Sequence, residues 1–275
     1  MTTLTGMASP PNDRLPVVIL AGGAGTRLRE ITGERVPKPL VEIGDQPILW
    51  HIMKLYGHFG FQRFVLCLGY KSQEIKSYFL RHREYLADFT IDLHGSHEPR
   101  FHNAMGDEPW QVTCAETGLT TGTGARVARI RDYVDVDTFL LTYGDGVGDV
   151  DLDALLAFHH EQGRIGTVTG VRPTSRYGEL EVRDGRAVEF NEKPTVSEGF
   201  VSGGFFVFQR EFLDSLVDDP DLMLEREPLQ KLARAGELAV YPHEGFWMGM
   251  DTWRDYTELD GLWKSGRAPW KVWDD

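Results

Sequence analysis

Short, largely apolar runs recur along the chain at residues 17–21, 63–68, 138–142 and 165–171. Each run has the length of a strand, and residues 17–21 (VVILA) contain no polar side chain at all. Runs of this kind are typical of strands that are covered on both faces, as in a parallel sheet. We therefore predict four buried strands at these positions.

Elsewhere the apolar residues recur at intervals of three and four, which predicts amphipathic helices. The pattern is clear after Pro47, a residue favoured in a first helical turn. From residue 178 to residue 208 the pattern changes to short strands and turns, with a hairpin around Asp184 and Gly185. The predicted helices cover residues 47–59, 72–79, 152–160, 226–235 and 252–262.

This alternation predicts an α/β fold: a Rossmann-like, mostly parallel mixed sheet flanked by helices, with a small antiparallel β insertion in the second half of the chain. No repeat, low-complexity tract or long linker divides the chain, so we expect one domain over residues 16–275. Residues 1–15 lack the charged start and apolar centre of a signal peptide. We expect a disordered leader there.

The overall charge narrows the classes of partner. The 275 residues include 29 basic and 42 acidic ones, a formal net charge of −13. Such a surface repels nucleic acid and anionic membranes, so we expect neither as a partner. No apolar run approaches the roughly 18 residues of a membrane span. Cys67 and Cys114 lie in strand-like runs without metal-ligand spacing, which favours free thiols in a cytoplasmic protein.

A glycine-rich segment, residues 20–28 (LAGGAGTRL), follows the first predicted strand directly. Its glycines let backbone amides wrap phosphate oxygens, and Thr26 and Arg27 add a hydroxyl and a planar cation suited to phosphate. The segment is not a dinucleotide fingerprint, because Leu28 stands where the third glycine belongs. It is not a Walker loop, since no Gly-Lys-Ser/Thr follows. A plain strand-to-helix turn is the alternative interpretation.

Lys38 lies between two prolines, Pro37 and Pro39, shortly after the glycine loop. The prolines restrict the backbone on both sides and favour an extended path, which aims the lysine side chain. A solvated loop lysine is the alternative interpretation. Together, the glycine loop and Lys38 indicate a phosphate-binding site.

Two aspartates are the candidate metal ligands. Asp145 comes just past the predicted strand 138–142, the usual ligand position in an open α/β sheet. Asp251 precedes the last predicted helix. Carboxylates from distant parts of the sequence suit Mg²⁺ that bridges phosphates. The alternatives are a turn residue at Asp145 and a helix N-cap at Asp251.

Several segments together resemble the sugar-1-phosphate nucleotidylyltransferases, and within them the cytidylyltransferases that act on glucose 1-phosphate. The resemblance covers about residues 16–273 and begins with LAGGAGTRL, PKPL and VEIGDQPILWHIMK. The glycine loop alone would indicate only the wider superfamily, whereas the whole combination is specific. The further matching segments are residues 142–146 (TYGDG), 192–194 (EKP), 202–208 (SGGFFVF), 245–252 (GFWMGMDT) and 267–273 (RAPWKVW).

The resemblance implies that a sugar 1-phosphate oxygen attacks the α-phosphorus of a nucleoside triphosphate, with Mg²⁺ held by Asp145 and Asp251. It assigns two catalytic cations, Arg27 to the β- and γ-phosphates and Lys38 to the α-phosphate and the sugar phosphate. The nucleotide-binding residues it implies are Leu20, Ala21, Gly22, Gly23, Gly25, Thr26, Arg27, Lys38, Thr121 and Gly122. The sugar-binding residues it implies are Tyr143, Gly144, Arg176, Tyr177, Gly178, Glu192, Lys193, Gly203 and Gly204.

The same resemblance divides the domain and suggests its assembly. Residues 16–150 would form the nucleotide-binding part, residues 151–250 the sugar-binding part, and residues 251–275 a C-terminal helical and aromatic segment. We expect a homo-oligomer, with a hexamer as the candidate, that uses this aromatic segment. A plain helix start at residues 121–122 and a solvated hairpin tip at residues 192–194 are the alternatives for two of the implied contacts.

Departures from the resembled enzymes leave the substrates open. The segment 28–37 is one residue longer, and Val36 stands where the cytidylyltransferases carry lysine, so dTTP, UTP, ATP and GTP remain alternatives to CTP. Ser202 stands where asparagine is common, so a modified sugar or a cyclitol phosphate remains an alternative to glucose 1-phosphate. A dinucleotide-dependent oxidoreductase and a catalytically silent nucleotide-binding regulator are the other classes considered. The missing third glycine argues against the first, and the retained phosphate and metal ligands argue against the second.

Overall fold

The computed structural model describes residues 11–23, 25, 36–102, 108–172, 179–183, 186–191 and 199–274. The strands are β1 (Pro16–Leu20), β2 (Glu42–Ile43), β3 (Gln46–Pro47), β4 (Arg63–Leu68), β5 (Asp88–Thr90), β6 (Arg100–His102), β7 (Gln111–Glu116), β8 (Thr138–Tyr143), β9 (Gly146–Gly148), β10 (Gly166–Val171), β11 (Glu179–Arg183), β12 (Arg186–Asn191), β13 (Val201–Gln209), β14 (Leu238–His243) and β15 (Trp247–Gly249).

Helices connect most of the strands that form the main sheet. None of the helices in the described ranges is both long enough and apolar enough to cross a lipid bilayer. The α-helices are α1 (Ile48–His58), α2 (Ser72–Leu80), α3 (His82–Leu86), α4 (Thr123–Arg129), α5 (Leu152–Gln162), α6 (Glu211–Asp214), α7 (Glu227–Ala235) and α8 (Trp253–Lys264). Single 3-10 turns cover Asn12–Arg14, Lys38–Leu40 and Arg131–Tyr133.

The main sheet has seven strands in the order β14-β10-β13-β8-β1-β4-β7. Its neighbours are parallel except at β13, which runs antiparallel to both β8 and β10. The hairpin β11–β12 forms a separate antiparallel sheet. The predicted fold class is therefore confirmed. The expectation of only short strands up to residue 208 is wrong for β13, which is nine residues long and lies inside the main sheet.

Alternate side chains of the central strands enter two different cores. Along β1, Val17 and Ile19 join the core that contains α1, whereas Val18 and Leu20 join the core that contains α4 and α7. Because helices cover both faces of the sheet, strand β1 at its centre is apolar at every position. Continuous apolar runs, and not alternation, therefore marked these strands in the sequence.

The predicted leader over residues 1–15 is too long. Leu15 is fully buried, and Asn12–Arg14 form a helical turn. The side-chain amide of Asn12 donates a hydrogen bond to the carbonyl oxygen of Phe59 at 2.7 Å. Residues 11–15 therefore belong to the folded domain, and residues 1–10 lie outside the described ranges.

The C-terminal aromatic residues pack within their own chain. Trp270 and Trp273 are 0% and 7% exposed. Together with Trp263 they surround Trp50 and His51 of α1, with ring centroids between 4.4 and 6.4 Å apart. These three rings are therefore engaged within their own chain, whereas Trp253 of the same segment is 57% exposed, and the oligomer contact of the C-terminal segment stays a prediction.

Candidate active site

The candidate site lies at the carboxyl edge of the main sheet, where the strand order reverses. Strands β4 and β7 lie on one side of β1, and β8 lies on the other side. Ligands of open α/β sheets bind in the crevice at such a switch point. The glycine loop follows β1, and Asp145 follows β8. The amide of Gly144 donates to the carbonyl oxygen of Leu20 at 3.0 Å, which ties the two loops together.

Lys38 contacts both candidate metal ligands directly. Its Nζ lies 2.5 Å from Oδ2 of Asp145 and 2.9 Å from Oδ1 of Asp251. The lysine side chain is 11% exposed, whereas the two aspartate side chains are 38% and 40% exposed. Burial alone would lower the pKa of Lys38, but the two carboxylates outweigh burial and raise that pKa above its ordinary value. A charged ammonium is therefore held where the two carboxylates meet.

A short β ladder brings the two aspartates together. Strand β9 starts directly after Asp145, β15 ends just before Asp251, and Gly146 of β9 pairs with Gly249 of β15. The amide of Met250 donates to the carbonyl oxygen of Asp145 at 2.8 Å. Two carboxylates that are far apart in the sequence are thereby fixed on the same edge of the fold.

The helix-cap alternative for Asp251 is wrong, because Thr252 caps helix α8. The hydroxyl of Thr252 accepts a hydrogen bond from the amide of Asp255 at 3.3 Å, and the Asp255 carboxylate accepts one from the amide of Thr252 at 2.8 Å. The same carboxylate accepts the amide of Asp251 at 3.0 Å. This capping box fixes the backbone of Asp251 without using its side chain as a cap.

The backbone at Lys38 is helical and not extended as predicted. Lys38–Leu40 form one 3-10 turn, in which Pro39 occupies the first turn and Pro37 is the extended residue before it. Proline is tolerated there because the first amides of a helix have no partner within it. Gly25, at φ +54°, lies against this turn, and a Cβ on Gly25 would come within 3.0 Å of the Cβ of Lys38. The glycine loop and Lys38 are therefore neighbours.

The described residues of the glycine loop differ in what they offer a ligand. The side chains of Leu20 and Ala21 are buried at 9% and 1% exposure, so only their backbone could contact a nucleotide. The amide of Ala21 already donates to the carbonyl oxygen of Cys67 at 3.1 Å. Gly23 is exposed, and a Cβ there would meet no atom within 4 Å. Gly23 is therefore the position in this part of the loop where a ligand has room.

Thr121 and Gly122 use their polar groups within the protein. The amide of Gly122 donates to the carbonyl oxygen of Pro220 at 2.7 Å, and the hydroxyl of Thr121 accepts from Nη1 of Arg129 at 3.0 Å. Gly122 is also the N-cap of helix α4, and a Cβ there would come within 2.4 Å of the carbonyl oxygen of Leu222. The amide of Gly122 is therefore satisfied within the protein, and the nucleotide-binding roles of Thr121 and Gly122 stay predictions.

Tyr143, Gly203 and Gly204 form a second group beside the acid pair. Gly204 has φ +77°, and a Cβ there would lie 2.5 Å from Cδ2 of Tyr143. The indole Nε1 of Trp247 donates to the carbonyl oxygen of Gly203 at 2.7 Å, and the hydroxyl of Tyr143 donates to the carboxylate of Glu225 at 2.6 Å. The ring of Tyr143 therefore lies against Gly204, and the sugar-binding roles of these three residues stay predictions.

The acid pair fits a hard divalent cation. Asp145 and Asp251 converge on one point, both are open to water, and both already hold a cationic group there. Oxygen ligands of this kind suit Mg²⁺, which usually takes one or two carboxylates together with phosphates and water. Within the described ranges, no group of three or more His, Cys, Asp or Glu residues is placed to hold a metal. A cation at this pair therefore needs further oxygen ligands from its substrates.

Other predicted site residues lie outside the described ranges, and their roles stay predictions. They are Thr26, Arg27, Arg176, Tyr177, Gly178, Glu192 and Lys193.

The sequence interpretation passed over three residues that support this site. Trp247 holds Gly203, Glu225 accepts the hydroxyl of Tyr143, and Arg126 contacts the glycine loop. Charged residues in a helix are usually exposed, so Arg126 gave no signal except the small and apolar neighbours on either side of it. Glu225 and Trp247 are far from Tyr143 and Gly203 in the sequence, and they reach these residues only in the folded chain.

Comparisons with known proteins indicate the family of the whole chain. The family model for nucleotidyl transferases matches residues 16–266. The glucose-1-phosphate cytidylyltransferase of Salmonella typhimurium is 45% identical over 261 residues, which cover 94% of this chain and all of that protein. The enzyme of the same name from Salmonella typhi is 44% identical over the same shares. The crystal structure of HddC from Yersinia pseudotuberculosis has the same fold, with a TM-score of 0.65 at 21% identity over 90% of this chain and 99% of that one. The chain belongs to the nucleotidyl transferase family.

Proposed function

We propose that this enzyme transfers a cytidylyl group from CTP to glucose 1-phosphate and forms CDP-glucose and pyrophosphate. The observation that carries the proposal is the contact of Lys38 with Asp145 and Asp251 beside the glycine loop. The choice of substrates is supported by the two Salmonella relatives, whose names give CTP-dependent transfer to glucose 1-phosphate and whose similarity spans nearly the whole chain.

The reaction brings two anions together. An oxygen of the sugar 1-phosphate forms a bond to the α-phosphorus of the nucleotide, while the bond from that phosphorus to the bridging oxygen of the β-phosphate breaks and pyrophosphate leaves. A phosphate monoester has a second pKa of about 6, so the attacking oxygen is ionised at neutral pH and needs no general base. Catalysis then depends on positioning and on neutralising charge.

Lys38 supplies a positive charge that is aimed before the substrates arrive. Its side chain is mostly buried, two carboxylates hold its ammonium, and Gly25 lies against its stem. Its raised pKa keeps it protonated at neutral pH. A charge fixed in this way costs little reorganisation when negative charge builds up on the reacting phosphorus.

Asp145 and Asp251 are the residues that would hold Mg²⁺. When bound, Mg²⁺ neutralises charge on the triphosphate and on the leaving pyrophosphate. We assign Arg27 to the β- and γ-phosphates, and the group around Tyr143 to the sugar half of the site. These assignments extend the proposal to residues beyond the acid pair.

We include a cytoplasmic homo-oligomer in the proposal. Leu80, Phe89 and Leu93 are 84%, 47% and 68% exposed, and exposed apolar side chains of this size support association with a partner. Static light scattering measures the state in solution, and a monomer at working concentration would refute this part of the proposal.

The function is tested by a pyrophosphate-release screen. CTP, dTTP, UTP, ATP and GTP are each combined with glucose 1-phosphate, another sugar 1-phosphate and a cyclitol phosphate, with and without Mg²⁺. We expect the highest kcat/KM for CTP with glucose 1-phosphate, because a mismatched base leaves buried polar groups unpaired at a cost of about 1–3 kcal/mol each. Preference for another base would refute the nucleotide assignment and would implicate the segment 28–37. Nucleotide binding without turnover in any combination would favour a silent regulator.

A further inference from the structure

Arg126 of helix α4 is buried directly beneath the glycine loop. The residue is 4% exposed. Its two terminal guanidinium nitrogens donate hydrogen bonds at distances between 2.8 and 3.4 Å. The acceptors are the carbonyl oxygens of Gly22, Leu68, Gly118 and Leu119 and the hydroxyl of Thr117.

These acceptors belong to three different loops at one edge of the sheet. Gly22 follows β1, Leu68 is the last residue of β4, and residues 117–119 follow β7. Strands β1, β4 and β7 are adjacent and parallel, so their carboxyl ends lie side by side. One guanidinium therefore connects the loops that follow three neighbouring strands, at the edge where the nucleotide is proposed to bind.

Glycine occupies two positions that lie against the guanidinium of Arg126. A Cβ on Gly22 would lie 2.2 Å from Nη1 of Arg126, and a Cβ on Gly69 would lie 2.5 Å from the same nitrogen. Neither glycine has φ in the left-handed region, so the backbone itself does not demand glycine at these positions. The close approach of Arg126 supplies the reason for glycine at position 22, whereas a Cβ on Gly69 would also lie 2.5 Å from the carbonyl oxygen of Gly118.

Neutral oxygens, and not a carboxylate, satisfy this arginine. In the described part of the chain, Arg126 forms no ion pair with Asp or Glu, and its titratable neighbours are the Cys67 thiol, whose pKa burial raises, and Arg129. Burial lowers the pKa of Arg126, yet a guanidinium stays protonated in proteins. Its charge is therefore not cancelled locally, and it favours an anion at the nearby loop.

We propose that Arg126 is a positioning residue for the nucleotide, which holds the glycine loop against the loops after β4 and β7 so that the loop is shaped for a triphosphate before the nucleotide arrives. The inference rests on the proposed function, because it assigns Arg126 to the nucleotide half of that site. Lysine cannot replace it, since one ammonium cannot reach acceptors that are spread over three loops.

The first test is Arg126→Lys, with Arg131→Met as the matched control. Arg131 also donates to backbone carbonyl oxygens, those of Leu213 and Leu216 at 2.7 and 3.1 Å, but at the end of α6. We expect Arg126→Lys to raise the KM for CTP about tenfold, the effect of losing one or two hydrogen bonds, and to leave the KM for glucose 1-phosphate within about twofold. Arg131→Met should lower Tm with both KM values unchanged.

The second test, Gly22→Ala, keeps the arginine and therefore still decides if Arg126→Lys does not fold. The added methyl group would meet the guanidinium, so we expect calorimetry to show CTP binding weakened about tenfold. In an Arg126→Ala background, where that space is open, the same change should weaken CTP binding less than about threefold. If the effects of the two substitutions on the affinity for CTP simply multiply in the double variant, the proposal is overturned.

Two further outcomes separate this inference from the proposed function. Wild-type protein that neither binds CTP nor releases pyrophosphate would overturn the proposed function itself. A wild-type protein that binds CTP normally, with Arg126→Lys binding it equally well or raising the KM of both substrates alike, would overturn the positioning role alone.

Discussion

Replacing Lys38 by alanine tests the centre of the proposed mechanism. The substitution removes the ammonium that touches both Asp145 and Asp251 and, with it, a fixed charge near the reacting phosphates. At an effective dielectric constant of about 20, two unit charges about 4 Å apart interact by about 4 kcal/mol. Most of this interaction develops as negative charge builds up in the transition state, so we expect kcat to fall by about 10²–10³-fold, or about 2.7–4 kcal/mol.

The same substitution should leave the fold intact. The two carboxylates are 38% and 40% exposed, so water screens the repulsion between them once the lysine is gone. Lys38→Arg should recover little activity, because the wider guanidinium must fit a position between two carboxylates that now holds a point charge. The catalytic loss is therefore expected without a matching loss of Tm.

The assay is steady-state pyrophosphate release, with a melting curve for each variant. Lys54→Ala is the matched control, because Lys54 is also partly buried and pairs with a carboxylate, Glu108 at 2.9 Å, outside the proposed site. Its kcat should match that of the wild type. A Lys38→Ala enzyme with a raised KM and an intact kcat would reduce Lys38 to a docking charge. A collapse of Tm in Lys38→Ala would make its role structural.

Three further predictions follow from the same structure. Asp145→Asn should fold and lose nearly all turnover, because a neutral amide holds Mg²⁺ poorly; a wild-type rate with unchanged Mg²⁺ dependence would make Asp145 a turn residue. Burial lowers the pKa of the fully buried His51 and His159 to about 4. Above pH 6.5 both histidines are neutral in the folded and the unfolded state, so the free energy of unfolding is highest there. Between pH 6.5 and about pH 4 the unfolded state takes up two protons, and the free energy of unfolding falls by about 2.7 kcal/mol per pH unit. Urea midpoints that do not change between pH 7 and pH 5 would contradict this. Gly204→Ala should cost about 1–3 kcal/mol in urea denaturation, because of its φ of +77° and the tyrosine ring 2.5 Å from the new Cβ; unchanged stability would show that the ring moves freely.

The strands buried on both faces could be predicted from the sequence, and the edge strands could not. Residues 63–68 match β4 at both ends because every inward position on both faces must be apolar there. Strand β7, at the edge of the sheet, reads QVTCAE and is only partly buried, so Cys114 lies in a strand-like run whose ends the pattern does not mark. Strand β13 was not predicted as one long strand, because the pattern from residue 178 to residue 208 indicated only short strands and turns.

Some features of the site could likewise be predicted from the local sequence, whereas others depend on the tertiary structure. Lys38, Asp145 and Asp251 could be selected because each stands beside a recognisable local signal. Their contact with one another depends on the ladder between β9 and β15, two three-residue strands with no hydrophobic pattern of their own. The pairing of Gly122 with Pro220 likewise depends on a distant loop, and no local pattern in the sequence reveals it.

The ladder between β9 and β15 also sets the order in which the site can form during synthesis. Lys38 and Asp145 leave the ribosome before β15 and Asp251. Trp270 is fully buried against the body of the domain, so residues beyond Asp251 help to hold this segment in place. A chain that terminates before β15 lacks both the second carboxylate and the strand that places it. We therefore expect such a fragment to be inactive.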